Sequence, residues 1–359
     1  MALLNTGAIG LGGNVTGLSV NLELFKSATS TISINDVDAR DLADIPSGTI
    51  SLGDFYGKSY YTFGQEEYTT PGTYTWVCPT DVTSVAVLCV GAGGGGDAGS
   101  DIVGVGGGGG GGALAYRNNI SVLPGQSYTI VVGAAGLGQV TVARTTTQSS
   151  TDGGSSSAFS CIAGGGAKGT RSTANISIGI GSTVDGSGGA ISGVYSGGAA
   201  GGFGGPIDTT SVGFRAPGGG GAAGYTGIGG AGARGQRTTG SPASSAGFSG
   251  AAGAGGGGGG GGSGYRSDLI REATGGNGGG VGVYGSGANG TGGVGGSSVV
   301  TVQDGGAGSY EYGFSDAGYG GGGGVGGDNR TARDGMSGAV RIIWPGQART
   351  FPITGTQNV

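Results

Sequence analysis

Residues 85–90, Val-Ala-Val-Leu-Cys-Val, are apolar without a break. Such a run predicts a strand buried on both faces. The stretch NISVLPGQSYTIVVGAAG, from Asn119, places two more strands around a Pro124-Gly125 turn. GAVRIIWPG, Gly338–Gly346, predicts a fourth strong strand. Upstream the pattern is weaker and repeats. GAIGLGGNVTGL from Gly7, STISINDVDARDL from Ser30 and GTISLGDFYGK from Gly48 each run from a small residue through an apolar-polar-apolar step to Gly, Asn or Asp. The step reads as a very short strand, and the Asn or Asp as a helix N-cap. Short helices are therefore expected over Asn14–Phe25 and Asn35–Ile45. Three such units predict a small α+β N-terminal module over residues 1–59, with a period too short and copies too few for a solenoid. Residues 60–72 read as an extended connector, 73–346 as one closed body, and 347–359 as an extended C-terminal tail.

Between the strands of the body lie glycine-rich runs at 93–96, 106–112, 164–166, 197–205, 218–221, 253–262, 275–280 and 318–327. Gly255–Gly262 is an unbroken run of eight. Ordering it costs about 8–16 kcal/mol of backbone entropy, with no side chain to bury in return. A flexible linker does not explain the loops that separate the runs, nor the strands at both ends. A silk-like stack wants shorter, more uniform repeats. A chain without Cβ atoms can instead form an extended helix with three residues per turn, whose N–H and C=O groups all point outward. Side by side, such helices satisfy one another's backbone groups. The expected fold is a small α+β N-terminal module followed by a β-strand-bracketed glycine-rich domain with packed polyglycine II helices, clamped where the first and last strands pair.

Composition narrows the chemistry. Glycine supplies 99 of 359 residues and proline only 9, without the Gly-X-Y period of collagen. Charged residues are 10% and apolar residues 35%, an unusual mixture for a disordered tail. Net charge is −5 with Arg and Lys scattered singly, so no nucleic-acid groove is expected. Neither a leader nor membrane insertion is expected, because no basic-then-apolar start and no long apolar run occurs. Cys78, Cys89 and Cys161 are too few and too odd for a disulfide framework, and fit synthesis in a reducing cytoplasm. Cys78 and Cys89 are expected as small buried apolar residues, with a Cys78–Cys89 pair across a hairpin as the alternative. The chain has no histidine. That removes the commonest general base and metal ligand.

GDFYGKS, Gly53–Ser59, is one residue short of a phosphate-binding loop and no apolar helix follows it. Repeated G-x-G-x-x-G matches carry no information in so glycine-rich a chain. No local motif pairs the few glutamates, Glu23, Glu66, Glu67, Glu272 and Glu311, as a glycosidase would need. No catalytic, cofactor or metal site is expected. The loop aromatics are the interesting set. Phe203, Phe214, Arg215, Tyr225, Tyr265, Arg266, Arg271, Tyr310, Tyr312 and Phe314 all sit between glycine runs. Rods would gather these loops at their ends, and aromatics with Arg suit recognition of sugars and protein surfaces.

Two segments resemble a known family. SINDVDARDLADIPSGTISLGDFYGKSY resembles the N-terminal module of tail-associated virion proteins of tailed bacteriophages. TYTWVCPTDVTSVAVLCVGAGGGG, GGGGALAYRNNISVLPGQSYTIVVGAAG and SGAVRIIWPGQARTFP resemble their glycine-rich domain. The body is also similar, more loosely, to T-even-type phage adhesins that present receptor-binding loops on packed polyglycine helices. The resemblance implies a non-enzymatic protein of the virion tail, assembled in the host cytoplasm in several copies per particle. It implies that residues 1–59 dock to other tail proteins, with Ile32, Ile34, Leu42, Ile50, Leu52, Phe55 and Tyr56 as docking candidates. It implies that the body's loops bind a host cell-surface glycan or protein. A purely structural fibre or baseplate component is the alternative, and a polysaccharide-degrading enzyme a third class.

Overall fold

Strands form where the sequence can bury both faces or alternate faces, and the glycine segments continue directly from their ends. The computed structural model describes residues 3–24, 26–58, 64–80, 82–97, 106–142, 145–170, 186–205, 217–234, 256–260, 275–286, 318–325, 332–346 and 349–352.

The N-terminal residues close over their own small core of Leu3, Val20, Leu24, Ala39, Leu42, Ala43 and Phe55. Helix α1 is a single turn, Val20–Glu23, capped by Ser19, whose Oγ accepts from the Leu22 N–H. Helix α2 spans Val37–Ala43 and stops at Asp44 in the left-handed region, φ 61°. Both lie within the expected helices, but α1 is much shorter, because the chain before it turns through Gly13 and Gly17 at positive φ. The short strands expected at Ile32–Ile34 and Ile50–Leu52 do not form. Ile32, Ile34 and Ile50 instead drop side chains onto the core from irregular backbone. Leu52–Phe55 is a 3-10 turn held by Ser51 and Asp54 as a capping box. The Ser51 amide and hydroxyl donated to Asp54 pull its carboxyl below the usual carboxylate range.

The body carries twelve described strands. They are β1 (Gly64–Tyr68), β2 (Gly72–Val77), β3 (Ser84–Val90), β4 (Leu114–Ser121), β5 (Ser127–Val132), β6 (Val140–Val142), β7 (Thr145–Gln148), β8 (Ser156–Ala158), β9 (Cys161–Ala163), β10 (Ile191–Gly193), β11 (Gly197–Ala199) and β12 (Ala339–Trp344). One sheet has the order β1-β12-β3-β4-β11 and the other β10-β9-β8-β5-β2, while β6 and β7 pair alone. Every strand pairing is antiparallel.

The sheets stack face to face. Val85, Val87 and Cys89 of β3 and Val340, Ile342 and Trp344 of β12 meet Trp76, Ile130, Val132 and Cys161 from the other sheet. The alternate residues of β3, Ala86, Leu88 and Val90, face the opposite way. There Ala222, Ala223, Tyr225, Val281 and Val283 cover them. This double covering is why residues 85–90 are continuously apolar. Three expectations change. The segment 60–72 is no plain connector, because it carries β1, in register with β12 from Gly64↔Trp344 to Tyr68↔Val340. β4 and β5 lie in different sheets, so the Pro124-Gly125 turn crosses the sandwich rather than closing a hairpin. The tail returns to the body, with Arg349 and Phe351 buried.

Beyond the sheets the pairing continues with a changed period. β3 and β4 end their ladder at Val90↔Leu114. Then Gly91, Gly94 and Asp97 donate backbone hydrogen bonds to Ala113, Gly110 and Gly107. The residues between them turn to other partners: Ala92 and Gly95 donate to Gly154 and Thr151, Gly93 and Gly96 to Met336 and Arg333. The carbonyls rotate in the same way. Those of Ala92 and Gly95 accept from Gly166 and Gly169, those of Gly93 and Gly96 from Gly136 and Gln139, and that of Gly94 from Gly323. One extended segment thus bonds to six neighbours, with a repeat of three residues. Residues 218–223 do likewise. They donate to 230–233, 276–279 and 109–112 and accept from 202–205, 257–260 and 322. The buried backbone groups that a glycine segment cannot pair in a sheet are satisfied by this lattice.

Candidate functional site

The lattice has a near end, where segments run into the sheets, and a far end. Asp97 lies opposite Gly107, Gly205 opposite Gly218, and Gly275 opposite Val325. The chain leaves the described lattice at this far end at Asp97, Thr170, Gly205, Arg234, Gly260 and Val325, and re-enters there at Gly106, Gly186, Pro217, Gly275 and Ala332. The β6–β7 pair stands at the same end, between Gln139 and Ser150. Side chains stand in for missing backbone partners near this margin. Asp334 accepts from the Gly138 amide at 2.6 Å, Asp152 from Lys168 at 2.8 Å and Asn277 from Gly324 at 3.0 Å. A capping carboxylate needs no neighbouring segment to satisfy the outermost amide.

The lattice flank shows a second feature. Its outer segments expose one residue in three and bury the two between. Ile228, Ala231 and Arg234 are exposed, while Gly229, Gly230, Gly232 and Ala233 are buried. Phe203 is exposed between the buried pairs Gly201-Gly202 and Gly204-Gly205. Leu137 is likewise exposed before the buried pair Gly138-Gln139, three residues after the exposed Ala134. The Phe203 carbonyl accepts from Gly232 and the Ala200 carbonyl from Gly229, so the Phe203 and Ile228 segments are direct neighbours. Phe203 is 56% exposed and Ile228 62%. The backbone that carries these apolar side chains is already fixed by the lattice, so binding has only their rotamers left to order.

A buried polar network ties the seam. Arg341 of β12, wholly buried, forms an ion pair with Glu67 of β1 at 3.2 Å and donates to the Val283 carbonyl and to Gln65 Oε1. Its guanidinium stacks on the Tyr284 ring, 4.4 Å from the centroid, and the Tyr284 hydroxyl donates to Glu67. Arg349 from the C-terminal stretch donates to the same Gln65 oxygen and to the Gly64 carbonyl. Burial weakens the proton affinity of both guanidinium groups. Burial, aided by the Glu67 contact, pushes the Tyr284 phenol up to about 12. The network binds the first strand, the last strand, the tail and the 281–286 segment together.

The expected site residues divide three ways. Phe203 is on the surface as expected. Tyr225 is not, and its assignment as a receptor contact is corrected. It is 4% exposed, packed against Tyr116 and Phe351, with its hydroxyl donating to the Gly282 carbonyl. It turns inward because the chain at 224–227 closes a tight turn against the first sheet, where an aromatic fills the cover over Leu88 and Leu114. Phe214, Arg215, Tyr265, Arg266, Arg271, Tyr310, Tyr312 and Phe314 lie outside the described residues. Among the docking candidates, Phe55 and Leu42 are core residues and Ile32, Ile34 and Ile50 are partly buried against that core, which leaves Leu52 and Tyr56 as the exposed pair. The sequence reading missed Leu137, Ile228, Ala231 and Arg234. For Ile228, Ala231 and Arg234 the signal is the three-residue spacing of IGGAGAR.

Among the described residues, no three His, Cys, Asp or Glu side chains gather as metal ligands, and no helix is long and apolar enough to cross a membrane. A family model described as a glycine-rich domain matches residues 69–303. No curated protein matches the chain.

Proposed function

The chain belongs to that glycine-rich domain family, and we propose that it is a receptor-binding adhesin of a bacteriophage tail. The glycine segments act in this reading as polyglycine II helices, a rigid shaft that needs no ordinary hydrophobic core. The observation that carries the reading is the six-neighbour, three-residue hydrogen-bond rotation, together with the repeated exit of the chain at the far end. A scaffold so satisfied internally holds the backbone that carries the exposed Phe203 in place before any partner arrives. Binding then pays little ordering entropy. The phage assignment rests on the resemblance of the head and of the opening and closing segments of the body. The N-terminal module docks to other tail proteins, and the far end meets a glycan or protein of the host surface. The protein works by recognition, not by chemistry.

Antibodies raised against residues 73–359 test this when applied to intact particles, with label position and adsorption read in one experiment. Label at an exposed tail extremity with blocked adsorption supports the reading. Label with normal adsorption, or epitopes hidden within the tail, refutes it in favour of a structural component that touches only other virion proteins. Release of reducing sugars from host envelope would assign an enzyme instead.

A further inference from the structure

Two cysteines from opposite sheets meet in the centre of the sandwich. Cys89 sits on β3 and Cys161 on β9, 72 residues apart in sequence, and both are wholly buried. The Cys89 Sγ lies 3.7 Å from the Cys161 carbonyl oxygen, and both side chains belong to the one buried cluster between the sheets. The neighbouring Cys161 and burial push the Cys89 thiol well above its usual range. The third cysteine belongs elsewhere. The Cys78 thiol donates to the Val82 carbonyl at 3.1 Å, at the opposite end of the strand ladder. All three are free thiols.

We propose that Cys89 and Cys161 are a latent inter-sheet disulfide, which closes when the folded chain meets a low-molecular-weight disulfide. One protein thiol loses its proton, and its sulfur attacks the small disulfide, forming a mixed disulfide and releasing one small thiolate. The second protein thiol loses its proton and displaces the other small thiolate, closing the Cys89–Cys161 bond. The two protein thiols give up two electrons, and one small disulfide becomes two small thiols. The pair belongs to the sandwich and is independent of what the far end binds. Access comes through β8 and β9, three residues each, joined by Phe159 and Ser160 at positive φ. Short elements of this kind open locally at low cost. A bond across them would fix the second sheet to the first and hold the shaft's near end closed.

The test equilibrates the full chain in reduced and oxidised glutathione, with sub-denaturing urea to permit opening, followed by alkylation and peptide mapping. The expected result is a Cys89–Cys161 cross-linked peptide with Cys78 alkylated. The bond should persist in Cys78→Ser and vanish in Cys161→Ala. Closing this loop should lower the unfolded fraction about a thousandfold in urea titrations. Alkylation of all three cysteines at every glutathione ratio, or a cross-link that includes Cys78, overturns the proposal. Because the mapping is done on the wild-type chain, a variant that fails to fold does not remove the test.

Discussion

Replacing Gly111 by alanine should destabilise the protein strongly, although alanine is the better residue for an unstrained chain. A Cβ at this position would lie 2.0 Å from the Gly221 oxygen and 2.5 Å from its carbon. Carbon and oxygen atoms tolerate about 3.3 Å at closest. The two segments must part by more than about 1 Å. The Gly221 oxygen accepts from Gly202 at 2.8 Å, and Gly202 accepts in turn from Gly111 at 2.9 Å. Parting the segments takes those buried bonds out of range, at about 1–3 kcal/mol for each group left unsatisfied. Overpacking adds about 1–3 kcal/mol. The expected loss is roughly 4 kcal/mol, against a gain of about 0.4–1 kcal/mol for a glycine-to-alanine change in open space. Sign alone therefore decides. Urea unfolding of the full chain, followed by the fluorescence of Trp76 and Trp344, reads it out, with Ala231→Ser at an exposed position as control. A Gly111→Ala midpoint at or above wild type would refute the lattice as described.

Other outcomes follow from the same geometry. Glu67→Ala should cost about 3–5 kcal/mol by urea titration, because Arg341 is left buried without its carboxylate, and Arg341→Met should cost less. Tyr68, Tyr225 and Tyr284 all have raised phenol pKa values, mainly from burial. The folded state then keeps protons that the unfolded state loses, so stability is intact below pH 10 and falls as pH rises from 10 through about 12. Tyr284→Phe should flatten part of that loss, and an unchanged alkaline profile would count against the burial of the Tyr284 phenol beside Glu67. Phe203→Ala should leave the unfolding midpoint within about 0.5 kcal/mol of wild type. It should weaken adsorption if the lattice flank takes part in binding.

The sandwich core was legible because its strands are written in side chains. Val85–Val90 and Ala339–Trp344 announce themselves as buried, and their pairing follows from closing the chain ends together. β1 was hidden. Gly-Gln-Glu-Glu-Tyr reads as polar, and only the partner strand with Arg341, far away in sequence, makes a ladder strand of it. The N-terminal repeat misled for the opposite reason. Its isoleucines satisfy a small core without needing a ladder. Glycine runs declared packing but not direction, since residues without side chains carry no facing signal. The residues between them do carry it, at every third position, and Phe203 and Ile228 follow that rule while Tyr225, in a turn, escapes it. The Cys89–Cys161 encounter depends on how the two sheets stack, which no local pattern encodes.

Amide hydrogen exchange on the full chain tests the central claim most directly. If the glycine segments form a lattice that pairs their backbone, amides at Gly94, Gly110, Gly221 and Gly257 should be protected to a degree comparable with Leu88 in β3. Exchange of those glycine amides at free-peptide rates, with β3 still protected, would contradict it and reduce the glycine runs to tethers hung on a β-sandwich.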